Sequence, residues 1–439
     1  MKPREIAVNV LDEVLYKDGY SNLILNKELN KNNIDTKDKG LITEIVYGTL
    51  KQKYSIDKDI QLYLDRKLST LDQHILNILR VSFYQLNYLD KVPEYAILNE
   101  AVEIAKKYKK GLQGFVNGVL RNHLRKRLTY SPINKIDELS YKYSFEPWMS
   151  KLFVNQYGND KATEILRGLN FNPFVTLRVN SLKTNFNDAF EELKSMGYDI
   201  VEGQLSPDAL HIRKGSNIDN NPLFKRGWIT VQDESAMMVT EVLSPKANDV
   251  VLDLCAAPGG KTTHAADLMG NEGKILSFDI YENKLKKIKD NCDKLGIHIV
   301  ETKVMDATVL CKDLVSIADK IILDVPCSGL GIIRKKPEIK WTKGKEDIKS
   351  LINIQRKIIS NAISYLKEGG TLVYSTCTIN KEENEENIRW LLERYPEMKL
   401  ENIFFGNSDN LIYNREGVTI LPNEYMDGFF ISKLTKDSR

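Results

Sequence analysis

Apolar residues recur every three to four positions through the first 130 residues, as in Ile6, Val10 and Val14 and again in Ile75, Leu79, Phe83 and Leu86. That period gathers the apolar side chains onto one face of each segment. Only Pro3 and Pro93 interrupt it, so the pattern predicts a helical domain over 1–130. The period breaks at Tyr130-Ser131-Pro132-Ile133-Asn134-Lys135, which reads as a linker. A helical passage over 148–169 follows. Residues 174–180 then alternate like a strand, 188–196 read as a helix and 209–212 as another strand, which makes a small α+β module before a helix at 234–243.

From residue 249 the pattern changes to short apolar runs alternating with helical segments. Strands are expected at 250–254, 274–278, 297–300, 318–323 and 370–374. Strand–helix alternation implies a parallel sheet with crossover helices, and ligands of such a sheet sit beyond the carboxyl ends of its strands. The expected organisation is therefore multidomain: an all-α unit at 1–130, a linker and small α+β module at 131–235, and an α/β Rossmann-like unit at 236–439.

Composition narrows the setting. With 439 residues, 42% of them hydrophobic, the chain has enough apolar side chains for more than one core. No uncharged apolar run approaches the roughly 20 residues of a membrane span, and the opening Lys2-Pro3-Arg4-Glu5 lacks an apolar signal core, so a cytoplasmic protein working away from membranes is expected. The five cysteines form no C-x-x-C pair and the five histidines are scattered, which argues against a disulfide framework and against a metal site. The net charge of +3 conceals an asymmetry, since residues 1–130 carry 22 Lys and Arg against 16 Asp and Glu. The excess gathers in Lys106-Lys107-Tyr108-Lys109-Lys110 and in Arg121 with Arg125-Lys126-Arg127, either a phosphate-facing patch or a solvated surface.

Candidate chemistry begins after the strand at 250–254, in Asp253-Leu254-Cys255-Ala256-Ala257-Pro258-Gly259-Gly260-Lys261. The paired glycines let the backbone turn sharply and approach a ligand without a Cβ in the way, while Pro258 stiffens the entrance. A helix starting there aims free N–H groups back at the ligand. Such a turn alone is often structural. Asp279 changes the weighting, because it ends the next strand, where a carboxylate commonly accepts hydrogen bonds from ribose hydroxyls. An adenosine-bearing cofactor is therefore expected. Neither the Walker A nor the Gly-x-Gly-x-x-Gly pattern is present, which weighs against an ATPase and a dehydrogenase. Asp306 is either an acceptor for an adenine amino group or a solvated surface acid.

Two further loops each carry a thiol after an apolar run: Asp324-Val325-Pro326-Cys327-Ser328-Gly329 and Tyr374-Ser375-Thr376-Cys377-Thr378. An isolated cysteine is usually a small buried hydrophobe, the reading kept for Cys292, Cys311 and mostly for Cys255. Two thiols sharing a domain with a nucleotide-like cofactor point instead to covalent chemistry on a nucleobase. Residue chemistry leaves open which of them attacks. Asn380 and Glu383 read as a capping box opening the next helix. Arg334-Lys335-Lys336 with Trp341 reads either as charge and a stacking surface along an RNA path or as solvated surface.

These three motifs, in this order, resemble the RNA 5-methylcytosine methyltransferases. Val46-Tyr47-Gly48-Thr49-Leu50 and Phe115-Val116-Asn117-Gly118-Val119-Leu120-Arg121-Asn122 resemble a NusB-like RNA-binding domain. The resemblance covers nearly the whole chain. Departures are Val325, where family members often have Ala, and Glu146-Pro147-Trp148, which inverts the expected order. It implies S-adenosyl-L-methionine as cofactor, held by Cys255, Ala256, Ala257, Pro258, Gly259, Gly260, Lys261, Asp279, Lys284, Asp306 and Asp324. It further implies Cys377 as nucleophile, Cys327 as an aid to product release and Asp324 as the partner of the cytosine ring. Lys261 contacts cofactor or RNA, or merely caps a surface. The domain order implies small-subunit ribosomal RNA as substrate, and the chain is expected to act as a monomer. The competing readings are the same chemistry on transfer RNA and a non-catalytic RNA-binding assembly or antitermination factor.

Overall fold

The computed structural model describes every residue except Met1, Asp18, Asn32, Asn33, Ser216 and Arg439. The chain divides into two compact units, Met1–Asn170 with Lys335–Lys343, and Phe171–Arg334 with Gly344–Arg439.

The first unit is helical, with helices at Pro3–Tyr16, Ser21–Lys31, Thr36–Gln61, Gln73–Tyr88, Glu94–Tyr108, Gln113–Lys126, Lys135–Tyr143 and Pro147–Gly168. Asp35, Asp72 and Asn134 cap three of these helices, each side chain accepting from a backbone N–H of the first turn. The stripe read from the sequence is the core: Ile6, Val10, Val14, Ile75, Leu79 and Phe83 are all buried, with Leu86 packed against them. Gly48 lies under the ring of Tyr84, where a Cβ would stand 1.9 Å from Tyr84 Cζ. Only glycine fits there. The last helix kinks at Gly158, whose φ is +76°.

Lys335–Lys343 belongs to this unit although it lies far along the chain. Lys340 is fully buried and donates to the carbonyls of Lys51 and Ser144, both at 3.0 Å, and to Asn170 Oδ1 at 2.8 Å. Its ammonium lies 3.8 Å from the Phe145 ring centroid, and burial pushes its pKa well below the usual lysine range. Trp341 donates from Nε1 to Leu50 O at 2.9 Å, and Glu338 accepts from both the amide and the hydroxyl of Ser21. The sequence reading of Trp341 as an open stacking surface is corrected: its indole is spent on packing and on a carbonyl.

The second unit holds two sheets. In the smaller, β1 (Val175–Val179), β2 (Asp199–Glu202), β3 (Ala209–Lys214) and β4 (Ile229–Val231) lie in the order β2-β3-β1-β4, all antiparallel. The larger contains β5 (Val250–Asp253), β6 (Lys274–Asp279), β7 (Val300–Val304), β8 (Ala318–Asp324), β9 (Leu366–Thr376), β10 (Met398–Glu401), β11 (Leu411–Asn414), β12 (Gly417–Ile420) and β13 (Phe429–Lys436). Its order is β11-β12-β13-β9-β8-β5-β6-β7, with β10 on β13. Strands β5 to β9 pair in parallel, while β10 to β13 are antiparallel, so the sheet is mixed where a parallel one was expected. The third parallel strand also lies at 300–304 and not at 297–300. As an edge strand it exposes Glu301 and Lys303, so it carries no apolar run to betray it.

Apolar layers cover both faces of this sheet. Ile358, Ile359, Ile388 and Leu391 pack on one, and Met238, Ala265, Leu285 and Ile288 on the other. Arg178 of β1, fully buried, reaches Asp267 Oδ2 at 2.9 Å and Thr263 Oγ1 at 3.2 Å on the helix that follows the glycine loop. That pair anchors the small sheet against the helix Gly260–Leu268.

Candidate active site

Strand β5 lies between β6 and β8, and the chain runs outward in opposite directions from it. This is the topological switch point of an open α/β sheet, where the loops beyond the strand ends part to form a crevice. The glycine loop leaves β5 there, and the two thiol loops leave β8 and β9.

The glycine loop turns through Gly259, whose φ of +100° suits glycine alone. Its amide donates to Ala256 O at 2.7 Å, and the helix Gly260–Leu268 starts at the next residue. Below the loop, Asp253 is almost fully buried. Thr262 Oγ1 donates to its Oδ2 at 2.7 Å, while Oδ1 has no partner. Burial pushes the Asp253 carboxyl up to about 7, against the lowering effects of Thr262 and Lys261. At the end of β6, Asp279 Oδ1 accepts from the Tyr281 amide at 3.0 Å, with Lys284 Nζ at 3.8 Å and the exposed Ile280 beside it. Asp306 is exposed and accepts from the amide and hydroxyl of Thr308, two bonds that hold its carboxyl below the usual range. An unpartnered buried carboxylate oxygen, a loop free of side chains and an acid at the next strand end suit a ligand that carries an ammonium group and ribose hydroxyls. Cys255 is half-buried, its thiol pushed up by burial and then by the Asp253, Asp324 and Asp279 carboxylates.

Asp324, the last residue of β8, is held on both oxygens. Lys261 Nζ lies 2.6 Å from Oδ2, and Ser375 Oγ donates to Oδ1 at 3.0 Å. Burial alone would lower the Lys261 pKa, but the Asp324 carboxylate overrides it and the group stays raised and cationic. The Lys261 ammonium also lies 5.2 Å from the Phe429 ring centroid. Of the sequence alternatives for Lys261, surface capping is therefore excluded.

The two thiols, fifty residues apart in the chain, meet at 3.3 Å between Cys327 Sγ and Cys377 Sγ, too far for a disulfide. Both are half-buried and reduced. The hydrogen bond to Cys377, then burial, then the charge of Cys377 and the Glu383 and Asp324 carboxylates push the Cys327 thiol well above its ordinary range. The backbone closes around the pair. Gly331 N donates to Cys377 O at 3.0 Å and Gly428 N to Gly331 O at 2.9 Å, and a Cβ on Gly331 would stand 2.0 Å from Gly428 O.

Two sequence readings are corrected here. Glu383 and Asn380 do not cap a helix: the next helix is Glu385–Arg394, its N-cap Asn384 makes no side-chain cap bond, and Glu383 turns to Ser328. Arg334 is fully buried, bonded to Asp427 Oδ1 at 2.5 Å and to the carbonyl of Tyr425 at 3.1 Å. A guanidinium so enclosed is structural. Sequence reasoning also gave no role to Ser375, Phe429 or Gln355. Ser375 stood in a quoted motif, whereas nothing local marks Gln355 or Phe429.

Comparison with known proteins agrees with this arrangement. A family model described as 16S rRNA methyltransferase RsmB/F matches residues 240–435, the NusB family model matches 1–125 and an RsmF/B-like ferredoxin-like domain model matches 145–219. A probable ribosomal RNA small subunit methyltransferase B of Bacillus subtilis (strain 168) is 36% identical, over 99% of this chain and 98% of the relative. The chain belongs to the RsmB/F methyltransferase family. A second RsmB relative, ribosomal RNA small subunit methyltransferase B of Proteus mirabilis (strain HI4320), is 34% identical over 99% of this chain and 98% of its own length. Among solved structures, NSun6 from Pyrococcus horikoshii with SFG superposes at a TM-score of 0.60 and 26% identity, over 68% of this chain and all of that one. The RsmB/F chain is thus a NusB domain, a ferredoxin-like module and a methyltransferase domain with a mixed sheet. Among the described residues no cluster of three or more His, Cys, Asp or Glu could hold a metal ion, and no helix is long and apolar enough to cross a membrane.

Proposed function

We propose that this RsmB/F chain transfers a methyl group from S-adenosyl-L-methionine to carbon 5 of a cytosine in small-subunit ribosomal RNA, through a covalent adduct on Cys377. The observation that carries the reading is the thiol pair at 3.3 Å beside the Lys261–Asp324 ion pair, at the ends of β8 and β9. The names of the relatives support the RNA, and SFG, an analogue of S-adenosyl-L-methionine, in NSun6 supports the cofactor.

Asp253, the 255–260 loop, Asp279 with Lys284, and Asp306 would hold the cofactor, and Lys261 and Asp324 close the same crevice on the substrate side. When bound, the cofactor supplies the methyl group that carbon 5 takes. Carbon 5 of cytosine is too electron-poor to react unaided. Cys377, as thiolate, forms a bond to carbon 6, and the displaced ring electrons accumulate at carbon 5 and nitrogen 3. Asp324, fixed by Lys261 and Ser375, accepts from the exocyclic amine and from the N–H that forms as nitrogen 3 takes a proton from water, a proton returned to water when the ring is restored. After methylation carbon 5 gives its proton to water, the carbon 6–sulfur bond breaks with its electron pair returning to Cys377, and the ring is restored. Cys327, kept as a thiol, donates a hydrogen bond to the departing sulfur. A base in structured RNA must be turned out of its stack to reach this crevice.

The test is nucleoside mass spectrometry on unmodified small-subunit ribosomal RNA incubated with the protein and isotope-labelled S-adenosyl-L-methionine. Labelled 5-methylcytidine at one site is the expected result. Label in transfer RNA alone overturns the substrate, and label in neither RNA with the cofactor bound overturns the reaction.

A further inference from the structure

We infer that Glu383 is a positioning residue for the thiol pair, an ionised carboxylate that fixes the Cys327 loop against the Cys377 loop. The inference rests on the covalent reading above and adds a residue that touches no substrate. Glu383 is fully buried. Its Oε1 accepts from Ser328 N at 2.8 Å and Gln355 Nε2 at 3.0 Å, and its Oε2 from Ser328 Oγ at 2.5 Å and Asn380 Nδ2 at 3.1 Å. Ser328 directly follows Cys327, and Asn380 stands three residues after Cys377. One side chain is therefore bonded to both loops at once.

Four donors on two oxygens match a carboxylate, which accepts only; a protonated acid or an amide would turn a donor toward one of them. The donors are themselves fixed. Gln355 also donates to Pro326 O at 2.9 Å and accepts from Asn387 Nδ2 at 2.8 Å, and Ser328 Oγ lies 2.9 Å from Thr378 Oγ1. The carbonyl of Glu383 takes the Tyr374 hydroxyl at 2.6 Å, which ties the acid to β9. Glu383→Gln turns an amide N–H toward one of these donors, which breaks a bond to a loop, loosens the alignment of Cys327 with Cys377 and so weakens its hydrogen bond to the departing sulfur. The step most sensitive to Glu383 is thus release of the methylated base, not attack.

The experiment uses the full chain carrying Glu383→Gln, with labelled S-adenosyl-L-methionine and target RNA in single turnover, the covalent species being followed on denaturing gels. Expected are cofactor affinity within about twofold of the unsubstituted protein and adduct decay slowed at least about tenfold, so that the adduct accumulates as in Cys327→Ala. The double variant should decay no more slowly than Cys327→Ala alone, since both act on one step. Unchanged decay, or effects that multiply, overturns the inference. Should Glu383→Gln fail to fold, Ser328→Ala removes one donor and leaves the acid in place; slowed decay supports the inference and unchanged decay overturns it. Full activity in Cys377→Ala instead sinks the covalent reading itself, and this inference with it.

Discussion

Lys261 and Asp324 meet at 2.6 Å, an ion pair that joins the first turn after the glycine loop to the end of β8. Its position ties the glycine loop to the acid that ends β8. Both groups are largely shielded from water, where a fixed charge acts more strongly than at the surface.

Replacement of Lys261 by Met is therefore expected to release Asp324 to Ser375 alone and to lower methyl transfer by about 10²-fold or more, the usual loss when one preorganised electrostatic partner is removed. Single-turnover rates at saturating cofactor check this. A KM effect for cofactor without a change in rate would show that the lysine serves binding only.

The thiols should separate cleanly by variant. Cys377→Ala is expected to abolish both methylation and any covalent RNA–protein species, whereas Cys327→Ala keeps the species and slows its resolution. Denaturing gels with labelled RNA distinguish the two. Adduct in Cys377→Ala and none in Cys327→Ala would reverse the assignment.

Gly259 stands at φ +100°, a conformation strained for any L side chain, and a Cβ there would press on Ile288 at 3.2 Å. Gly259→Ala should cost roughly 1–3 kcal/mol in backbone strain and shift the loop over Asp253. Isothermal titration with S-adenosyl-L-methionine should show weakened binding, by about tenfold if some 1.4 kcal/mol of that strain is felt on binding. Unchanged affinity would place the loop outside the cofactor site.

His123 in the helical unit is buried between Tyr63 and Asn87 and stacked on Phe83, and burial lowers its pKa from 6.5 to about 4. The unfolded chain takes up this proton below pH 6.5, while the folded unit resists until about 4. The stabilisation is thus complete above pH 6.5 and is lost as the pH falls toward 4. Urea midpoints at pH 7.5 and 5 should fall more in the unsubstituted protein than in His123→Gln. Equal falls would refute the assignment.

Most of the fold was legible where local pattern and tertiary role coincide. The helical stripe of Ile75, Leu79 and Phe83 is core because a 3.6-residue period has no other efficient use. The strand ending at Asp253 and the turn at Gly259 were equally visible, since a buried parallel strand and a positive-φ turn each leave a compositional mark. Edge strand β7 was misplaced because its solvent-facing residues are charged. The fate of Lys340, Trp341 and Arg334 was not legible, because a basic run looks the same whether solvated or enclosed until its acceptors, distant in sequence, are known. For the same reason Glu383 looked like a local cap: its partner Ser328 lies 55 residues away, beyond any local rule.

Lys335–Lys343 has a practical corollary for anyone dividing this protein. The helical unit is not a bead threaded before the catalytic one, because the chain re-enters it once the Cys327 loop is complete. A fragment beginning near Phe171 would carry Lys340 and Trp341 without their acceptors at Leu50, Lys51 and Ser144, exposing to water an indole that the intact chain packs away. No single cut yields two intact pieces, and an exchange of N-terminal domains between relatives must transplant this distant insert as well.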